Sequence, residues 1–462
     1  MGNTDPVRTV ILANLEEYVS PLFSRFPSHE AEAWVSQCRA ESDMALFWEG
    51  DDKLVIAGAP PPAELLEAAR RTLGYKNIST ATPHRRSHSL CDDIAEDRDT
   101  FDTLCCAMSG TPPPSLAVWG ATPQLYRLIE KLRECGIPDA TAAIPERTDY
   151  WTVPYLDSKS GFRDFFGSVH RDQDSPICLT EGITCCDVGT ALAATVARWP
   201  RGNGVVVKAD RGVAGVGLLL LPKERVRETV DPGAFLRAWA RTQPLLEAGP
   251  IVVEEYVAGP VSQGEAPSAS IQGFIDAQGT ARVRAVAVQS LTAGGNYVGA
   301  SIGRTFLPED RAADLRTLGR QIGSAVGRLG FRGHFGVDTI RTGSGALLCT
   351  EMNARRTSVC TAMAIAFRVL GADFENTGAV SSSERCQLSA LASDMSPAQA
   401  IKLLDPILLQ PGTGRSGVVP TILGSLQRYA RQPTIGFVAI GSDAESATAL
   451  HRDAERRLML GQ

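Results

Sequence analysis

Short apolar runs alternate with helical segments over the first 149 residues. Apolar side chains recur at helical spacing over residues 62–73 and again up to residue 135, as in helices that cover one face of a sheet. Between them lie short apolar runs that predict strands at residues 8–12, 45–48, 53–57 and 116–119. This alternation is typical of an α/β domain.

From about residue 150 onwards, β-branched runs and glycines become more frequent. The pattern predicts strands at 205–208, from 218 and at 251–256, helices at 233–242, 311–329 and 358–370, and a hairpin at 334–353. Residues 371–397 are polar and rich in Ser, Gly and Ala, which predicts a linker or mobile surface segment. A helix at 397–404, a strand pair around Val418 and Phe437 and an amphipathic helix at 444–458 predict a small C-terminal α/β appendage.

Composition narrows the class of protein. A length of 462 residues predicts two or three domains. The net charge of −6, without a cluster of basic residues, argues against a nucleic-acid binder. The N-terminus lacks an apolar signal core and no apolar run is long enough to cross a membrane, so we expect no membrane partner and a cytoplasmic location. The eleven cysteines include no Cys-x-x-Cys pair, which favours reduced thiols over a disulfide framework or a zinc site.

A glycine-rich loop joins two apolar strands at residues 204–221. The first strand ends near Lys208, and the loop carries Gly212, Gly215 and Gly217 before the second strand begins at Leu218. Such a hairpin can fold over phosphates, because glycine lets backbone N–H groups approach anionic oxygens and the lysine adds a charge. The loop alone is equally compatible with a tight turn that carries an exposed lysine.

Two acidic residues are expected to face each other across the predicted hairpin. Asp338 and Glu351 are equidistant from a turn centred between Ser344 and Gly345, and Asn353 points to the same face as Glu351. Facing like charges destabilise a sheet unless something neutralises them, and their oxygen donors suit Mg²⁺ shared with nucleotide phosphates. The alternative is an ordinary charged surface, which the flanking apolar residues make less favourable.

Two further segments complete the candidate site. Arg355 and Arg356 follow the acidic hairpin and suit a phosphate or carboxylate. Residues 251–260 form a strand that runs into a Gly-Pro hinge, and such a strand can present its backbone to an adenine edge.

These pieces, in this order, resemble the ATP-grasp superfamily of carboxylate–amine ligases over roughly residues 150–370. The resemblance implies that Asp338, Glu351 and Asn353 hold Mg²⁺ and that Lys208 binds phosphate. It implies a second phosphate-binding lysine, for which Lys159 is the candidate, and a catalytic role for Arg355 in Asn-Ala-Arg, where the common motif is Asn-Pro-Arg.

The nucleotide contacts are also implied by the resemblance. The phosphate loop matches Asp210 to Gly217, with Gly212 and Gly215 inside it, and the adenine hinge matches Glu254, Glu255, Tyr256 and Val257. The acidic residue that usually grips the ribose would fall on Val261, so either Glu265 substitutes or ribose recognition differs.

The same resemblance divides the chain into three domains. Residues 1–149 are similar to a Rossmann-like pre-ATP-grasp domain, residues 150–375 to the two-subdomain α+β ATP-grasp core, and residues 376–462 to the C-terminal domain of pheganomycin-type peptide ligases. The implied fold class is α/β, and the implied location of the nucleotide is between the two α+β subdomains.

The implied reaction is the ATP-dependent formation of an amide (peptide) bond through an acyl phosphate, with release of ADP and phosphate. The implied substrates are a small carboxylic acid and an amine, each an amino acid or peptide, in natural-product biosynthesis. Two alternatives use the same scaffold: a kinase that stops at a phosphorylated product, and a non-catalytic nucleotide-binding regulator. A homodimer is a further possibility, because dimers are the commonest assembly.

Four other features of the sequence could carry chemistry. Arg304 is a candidate anchor for a substrate carboxylate, with a surface ion pair as the alternative, and His334 could line the site or be a structural histidine. Zinc at His84 and His88 lacks a complete ligand set, and Cys360 has no defined histidine partner for a nucleophilic role.

Overall fold

In a computed structural model, the described part of the chain forms three β-sheets. The described residues are 8–110, 113–137, 144–169, 178–212, 215–228, 231–257, 268–388, 394–412, 415–427 and 433–460. Two of the sheets have four strands each and the third has nine.

The N-terminal sheet is parallel, with helices between its strands. Its spatial order is β3-β2-β1-β4. The strands are β1 (Thr9–Ala13), β2 (Lys53–Ala57), β3 (Ile78–Ala81) and β4 (Ser115–Val118). The helices are α1 (Leu15–Phe23), α2 (Ser28–Glu41), α3 (Ala63–Leu73), α4 (Leu90–Glu96), α5 (Arg98–Met108) and α6 (Pro123–Glu134). Every residue of β1 and β2 is buried, as expected for parallel strands covered on both faces.

The strand predicted at residues 45–48 is wrong. Ser42–Phe47 forms a 3₁₀ helix in which every residue is buried. A short apolar run fits a buried helical turn as well as a buried strand, so its periodicity could not separate the two. The following Trp48 donates its indole N–H to the Thr361 hydroxyl at 3.0 Å. This bond links the turn to the helix Val359–Leu370.

A smaller antiparallel sheet follows, in the order β6-β9-β7-β8. Two helices and a short strand precede it: α7 (Thr152–Leu156), α8 (Lys159–Val169) and β5 (Cys178–Leu179). Its strands and helices are β6 (Gly182–Cys185), α9 (Val188–Arg198), β7 (Gly204–Ala209), β8 (Leu218–Pro222), α10 (Lys223–Glu228), α11 (Pro232–Ala240) and β9 (Ile251–Glu255).

The nine-stranded sheet has the order β16-β17-β15-β12-β11-β10-β13-β14-β5. Its remaining strands are β10 (Ser268–Ile275), β11 (Ala281–Leu291), β12 (Tyr297–Ile302), β13 (Gly333–Arg341), β14 (Leu347–Asn353), β15 (Ala379–Gln387), β16 (Gly417–Ile422) and β17 (Thr434–Gly441). The helices of this part are α12 (Glu309–Arg328), α13 (Val359–Leu370), α14 (Phe374–Thr377), α15 (Pro397–Leu404) and α16 (Ala444–Leu460). Further 3₁₀ helices lie at Arg147–Asp149, Pro244–Glu247, Asp405–Ile407 and Gly424–Leu426.

The linker predicted at residues 371–397 is wrong over much of its length, because it contains β15 in the interior of the large sheet. β15 pairs with β12 on one side and β17 on the other, and its first six residues are buried. The sequence pattern did not indicate this strand, because its serines lack the bulky side chains typical of strands. Their hydroxyls are satisfied internally: Ser382 donates to the Ala300 carbonyl at 3.2 Å, and the Ser301 and Ser381 hydroxyls lie 3.3 Å apart.

The C-terminal strands therefore extend the large sheet instead of forming a separate appendage. One hydrophobic core contains Ile11 and Phe47 from the N-terminal region together with Val419 and Phe437 from the C-terminal strands. No helix among the described residues is long and apolar enough to cross a membrane. All eleven cysteines are free thiols.

Candidate active site

The hairpin of β13 and β14 brings the two acidic residues together. Asp338 pairs directly with Glu351, and Asn353 pairs with Gly336 two positions along the same face. The turn is centred on Ser344, half a position before the predicted centre, because Thr342 and Ala346 close the loop around it. A β-bulge after Asp338 compensates for this offset, so the facing of the two carboxylates is as expected.

Hydrogen bonds from neighbouring strands orient the Asp338 carboxylate. Ser270, which lies opposite it on β10, donates to Asp338 Oδ1 at 2.6 Å. The buried Gln272 donates to the Ser270 hydroxyl at 2.9 Å and accepts from Thr357 at 2.7 Å. This relay crosses two strands and the segment after β14, so the carboxylate orientation is built into the sheet.

The two carboxyl groups differ in their proton affinity. Desolvation and the facing Glu351 raise the pKa of Asp338 above its usual range. Desolvation also acts on Glu351, but Lys159 and Lys208 outweigh it and lower the pKa of Glu351. Like charges in one site separate their pKa values in this way, and a cation placed between them would ionise both groups.

The donor chemistry of this pair fits a divalent cation. The two carboxylates supply hard oxygens and the Asn353 amide supplies another, which are the ligands that Mg²⁺ takes in nucleotide sites. Asn353 Nδ2 lies 3.5 Å from Asp338 Oδ2, and its Oδ1 accepts from Arg355 at 2.8 Å. Rotating the amide would direct Oδ1 towards Asp338. The described residues contain no cluster of three or more His, Cys, Asp or Glu that could hold a metal.

Lys159 reaches this pair from the first turn of α8. Its Nζ lies 3.2 Å from Glu351 Oε2, and Glu351 raises the pKa of Lys159 against the opposing effect of burial. Asp210, which the sequence assigned to the phosphate loop, holds the start of α8. It accepts hydrogen bonds from Lys159 N through its carbonyl at 2.9 Å and from Ser160 N through its carboxylate at 2.8 Å.

Lys208 is held in a buried charge network. Its Nζ lies 2.6 Å from Glu254 Oε2 and donates to the Thr350 carbonyl at 3.2 Å, beside Glu351. Arg163 contacts the other oxygen of Glu254 at 2.8 Å. Lys208 and Glu254 are both buried, so the carboxylate of the predicted hinge residue also positions the lysine.

The glycine loop lies against the large sheet. Gly215 and Gly217 have φ values of +86° and +80°, which favour glycine. A Cβ on Gly215 would collide with the Asn296 side chain in the connection between β11 and β12. Gly212 is in the described chain, and residues 213–214 lie outside the described residues.

The strand of the predicted adenine hinge ends at Glu255. The N–H groups of Glu255 and Tyr256 donate to the carbonyls of Glu181 and Gly204 at 2.7 and 3.0 Å. An adenine contact through the hinge therefore depends on other groups, with Val257 the last described residue of the segment. Glu265, the candidate ribose ligand, lies outside the described residues.

Arg355 connects the hairpin of β13 and β14 to the N-terminal sheet. Its guanidinium lies 5.5 Å from the Trp119 ring centroid and 5.8 Å from that of Tyr18. Its Nε is 3.7 Å from Asp157 Oδ1, and Asp157 also accepts from the Ala354 N–H at 2.9 Å. Aromatic faces and a carboxylate thus fix this arginine at the entrance to a large cavity.

The cavity measures about 780 Å³ and lies between the N-terminal and large sheets. Its walls come from residues 115–121, from 331–334 at the start of β13, from 354–356 after β14 and from 360–368 of α13. Five arginines line it, at positions 284, 332, 355, 356 and 368, whereas Glu49 is the one acidic residue among the lining side chains that the structure describes. Its size suits a small-molecule substrate and its charge suits an anion.

Arg304 does not line this cavity. It follows β12, its side chain is exposed, and its N–H donates to the Glu375 carbonyl at 2.9 Å. His334 and Cys360 do line it, with the cysteine Sγ 3.9 Å from His334 Nδ1. Burial, Arg356 and Arg284 lower the pKa of His334 well below its usual value, and burial raises the pKa of the Cys360 thiol, so neither forms a reactive ion pair.

The histidines proposed for zinc have other partners. His84 Nδ1 contacts Asp97 Oδ2 at 2.9 Å, and His88 Nε2 contacts Glu32 Oε2 at 2.9 Å. Different carboxylates therefore hold the two rings.

Sequence reasoning missed several residues of the site. Arg163 stood in the segment that supplied Lys159, but only the pairing of β9 with β7 shows that it meets Glu254. Ser270 and Arg284 carry no motif, since their positions depend on how β10 and β11 align with β13.

A known protein matches the sequence over nearly its whole length. No family model matches the sequence. The chain is 26% identical to an L-propargylglycine–L-glutamate ligase of Streptantibioticus cattleyicolor, over 98% of this chain and 95% of the relative.

Solved structures share the fold at low sequence identity. A biotin carboxylase from Campylobacter jejuni has a TM-score of 0.54 and 13% identity, over 99% of this chain and 92% of the other. An N5-carboxyaminoimidazole ribonucleotide synthetase, solved with ADP, has a TM-score of 0.52 and 11% identity, over 97% and 96% of the two chains. Both have the ATP-grasp fold, which this chain shares. The chain is therefore similar over nearly its whole length to an amino-acid ligase, and it shares the ATP-grasp fold of the two solved structures.

Proposed function

We propose that the chain activates the carboxylate of one amino acid with ATP and joins it to the amine of a second amino acid or peptide. ADP and phosphate are the other products. The observation that carries this proposal is the facing of Asp338 and Glu351 across one hairpin, with Lys159 3.2 Å from Glu351 and an arginine-lined cavity alongside. The amino-acid substrates in the name of the full-length relative support the same class.

The nucleotide lies between the small sheet and the large sheet in this proposal. Lys159 and Lys208 bind phosphate oxygens, and the loop glycines 212, 215 and 217 bring backbone N–H groups to them. The hinge from Glu254 to Val257 borders the adenine, with Glu254 acting mainly by holding Lys208.

Asp338, Glu351 and Asn353 hold Mg²⁺ in this proposal. A magnesium ion held by these residues would neutralise phosphate oxygens and draw charge away from the phosphorus. The residues provide the rest: Ser270 keeps Asp338 directed at the site, and Lys159 keeps Glu351 ionised.

The chemistry requires two anions to meet. The substrate carboxylate attacks the terminal phosphorus of ATP, which forms an acyl phosphate and releases ADP. Arg355 lies between the cavity and the metal site, where its guanidinium can neutralise the carboxylate and then the developing charge on the tetrahedral intermediate. The amine attacks the acyl carbon, the C–O bond to phosphate breaks, and the amine loses its proton. The glycine loop covers the nucleotide and limits hydrolysis of the intermediate.

The setting of the reaction is also part of the proposal. The name of the relative, with its unusual amino acid, favours natural-product biosynthesis. Eleven free thiols favour a reducing compartment, so we place the enzyme in the cytoplasm, and we propose a homodimer as its assembly.

A hydroxylamine screen tests this function. Purified protein is incubated with ATP, Mg²⁺, hydroxylamine and single carboxylic acids, and ADP and hydroxamate are measured. Hydroxamate with an amino acid, and ADP release that depends on both acid and amine when amines replace hydroxylamine, support the ligase. A stable phosphorylated product with no amide indicates the kinase, and an absence of turnover with every acid and amine indicates the regulator.

A further inference from the structure

One of the five arginines that line the cavity differs from the others in its contacts. Arg332 and Arg368 donate to backbone carbonyl oxygens. Arg355 and Arg356 contact side-chain oxygens of neighbouring residues. Arg284 makes no hydrogen bond or ion pair with any residue that the structure describes, although it lines the same cavity. Four of the guanidinium groups are therefore held by the protein, and one is available to a ligand.

Aromatic contacts hold the Arg284 guanidinium in place. Its Cζ lies 5.3 Å from the ring centroid of Phe274, and the Phe274 ring packs edge-on against His334 with centroids 4.9 Å apart. Arg284, Phe274 and His334 come from β11, β10 and β13, and all three line the cavity. The aromatic contact orients the cation and leaves its N–H groups free to bind an anion.

The distance between Arg284 and the proposed metal site at Asp338 limits the length of a substrate that contacts both. His334 lies four residues before Asp338 on β13, so the two are about 13 Å apart along the strand. A carboxylate being activated beside Asp338 and a second anionic group near Arg284 would therefore belong to one small molecule with a short chain between them.

We propose that Arg284 binds a second carboxylate of the acyl substrate, at the end of the molecule opposite the activated carboxylate. This assignment rests on the proposed ligase function and makes a dicarboxylic amino acid the preferred acyl donor. A guanidinium matches a carboxylate with two parallel N–H···O bonds, whereas a substrate with an apolar end would leave this cation without an anionic partner.

Three acids that differ in one group test the assignment. L-Glutamate has both carboxylates, 4-aminobutanoate keeps the distal carboxylate and the amine but lacks the α-carboxylate, and 4-amino-4-phosphonobutanoate carries a phosphonate there. ADP and hydroxamate formation are measured for each acid with the wild type and with R284Q, R284K and R282Q. Arg282 is the matched control, because it lies on the same strand but does not line the cavity and lies 3.8 Å from Asp276.

The wild type should prefer L-glutamate. R284Q should raise the KM for L-glutamate about 30-fold or more, with a small change in kcat, and should hardly change kcat/KM for 4-aminobutanoate. R284K should be intermediate, because it keeps the charge without the paired N–H groups, and R282Q should match the wild type. A general structural defect would instead lower activity with all three acids.

Several results would overturn the assignment. A wild type that uses 4-aminobutanoate as well as L-glutamate, prefers the phosphonate, or accepts only acids without a second carboxylate would refute it. Equal losses in R284Q with L-glutamate and 4-aminobutanoate would refute it as well. In those cases hydroxamate formation would still support the ligase, whereas no turnover by the wild type with any acid and amine would refute both proposals.

Discussion

Glu254 is expected to control both the stability of the small sheet and the binding of ATP. Its carboxylate lies 2.6 Å from Lys208 Nζ and 2.8 Å from Arg163 Nη1, and its side chain is only 3% exposed. In E254Q the two cations stay buried without a carboxylate. Removing one partner from a buried ion pair typically costs about 3–5 kcal/mol, mostly because the remaining charge is desolvated.

The same substitution at Glu181 is the control. Glu181 lies 3.3 Å from Arg198, but its side chain is 77% exposed, and a surface ion pair contributes at most about 1 kcal/mol. We expect E254Q to lower the free energy of unfolding by several times as much as E181Q.

The binding of ATP provides the second measurement. Lys208 loses the contact that directs its Nζ towards Thr350 and Glu351, so the KM for ATP should rise at least about tenfold in E254Q and stay unchanged in E181Q. Urea unfolding and initial rates at varied ATP give both numbers. Equal stability of the two variants, or a normal KM for ATP in E254Q, would refute the positioning role.

Three further substitutions have defined outcomes. R355Q should lower kcat about 100-fold or more in the hydroxamate assay while ATP binding persists, because Arg355 lines the cavity and the proposed mechanism places it beside the reacting carboxylate; an unchanged kcat would contradict this. G215A should weaken ATP binding, since Gly215 has φ +86° and its Cβ would meet Asn296, whereas G343A, with open space around it, should behave as wild type. The stability of E16Q relative to the wild type should increase as the pH rises from 4.5 to 7. Burial raises the pKa of Glu16 to about 7, so its ionisation costs about 3 kcal/mol above that pH; a pH-independent difference in melting temperature would refute it.

The hairpin of β13 and β14 was the part of the site that could be predicted from the sequence. Its register follows from the two-residue periodicity of strands and a short turn, so local patterning was enough to oppose Asp338 and Glu351. Even there the bulge, which no local pattern indicated, was needed to bring the two residues into register.

Features that depend on distant pairing could not be predicted. β15 has serines where a strand normally has large side chains, and it is stabilised by β12 and β17 on its two sides. The substrate-anchor prediction fell on Arg304 because of its glycine-rich segment, whereas the arginine with free N–H groups in the cavity is Arg284. Which arginine faces the cavity depends on the alignment of three strands and is not encoded in any one of them.

Transfer of oxygen from the acid to phosphate tests the central claim most directly. The accepted carboxylic acid is labelled with ¹⁸O in its carboxylate, the reaction is run to completion with ATP and an amine, and the released phosphate is analysed by mass spectrometry. An acyl phosphate predicts that one ¹⁸O atom appears in the phosphate for each amide formed, and that D338A and E351A abolish both products. Amide formation with unlabelled phosphate, or full turnover in both variants, would contradict the account.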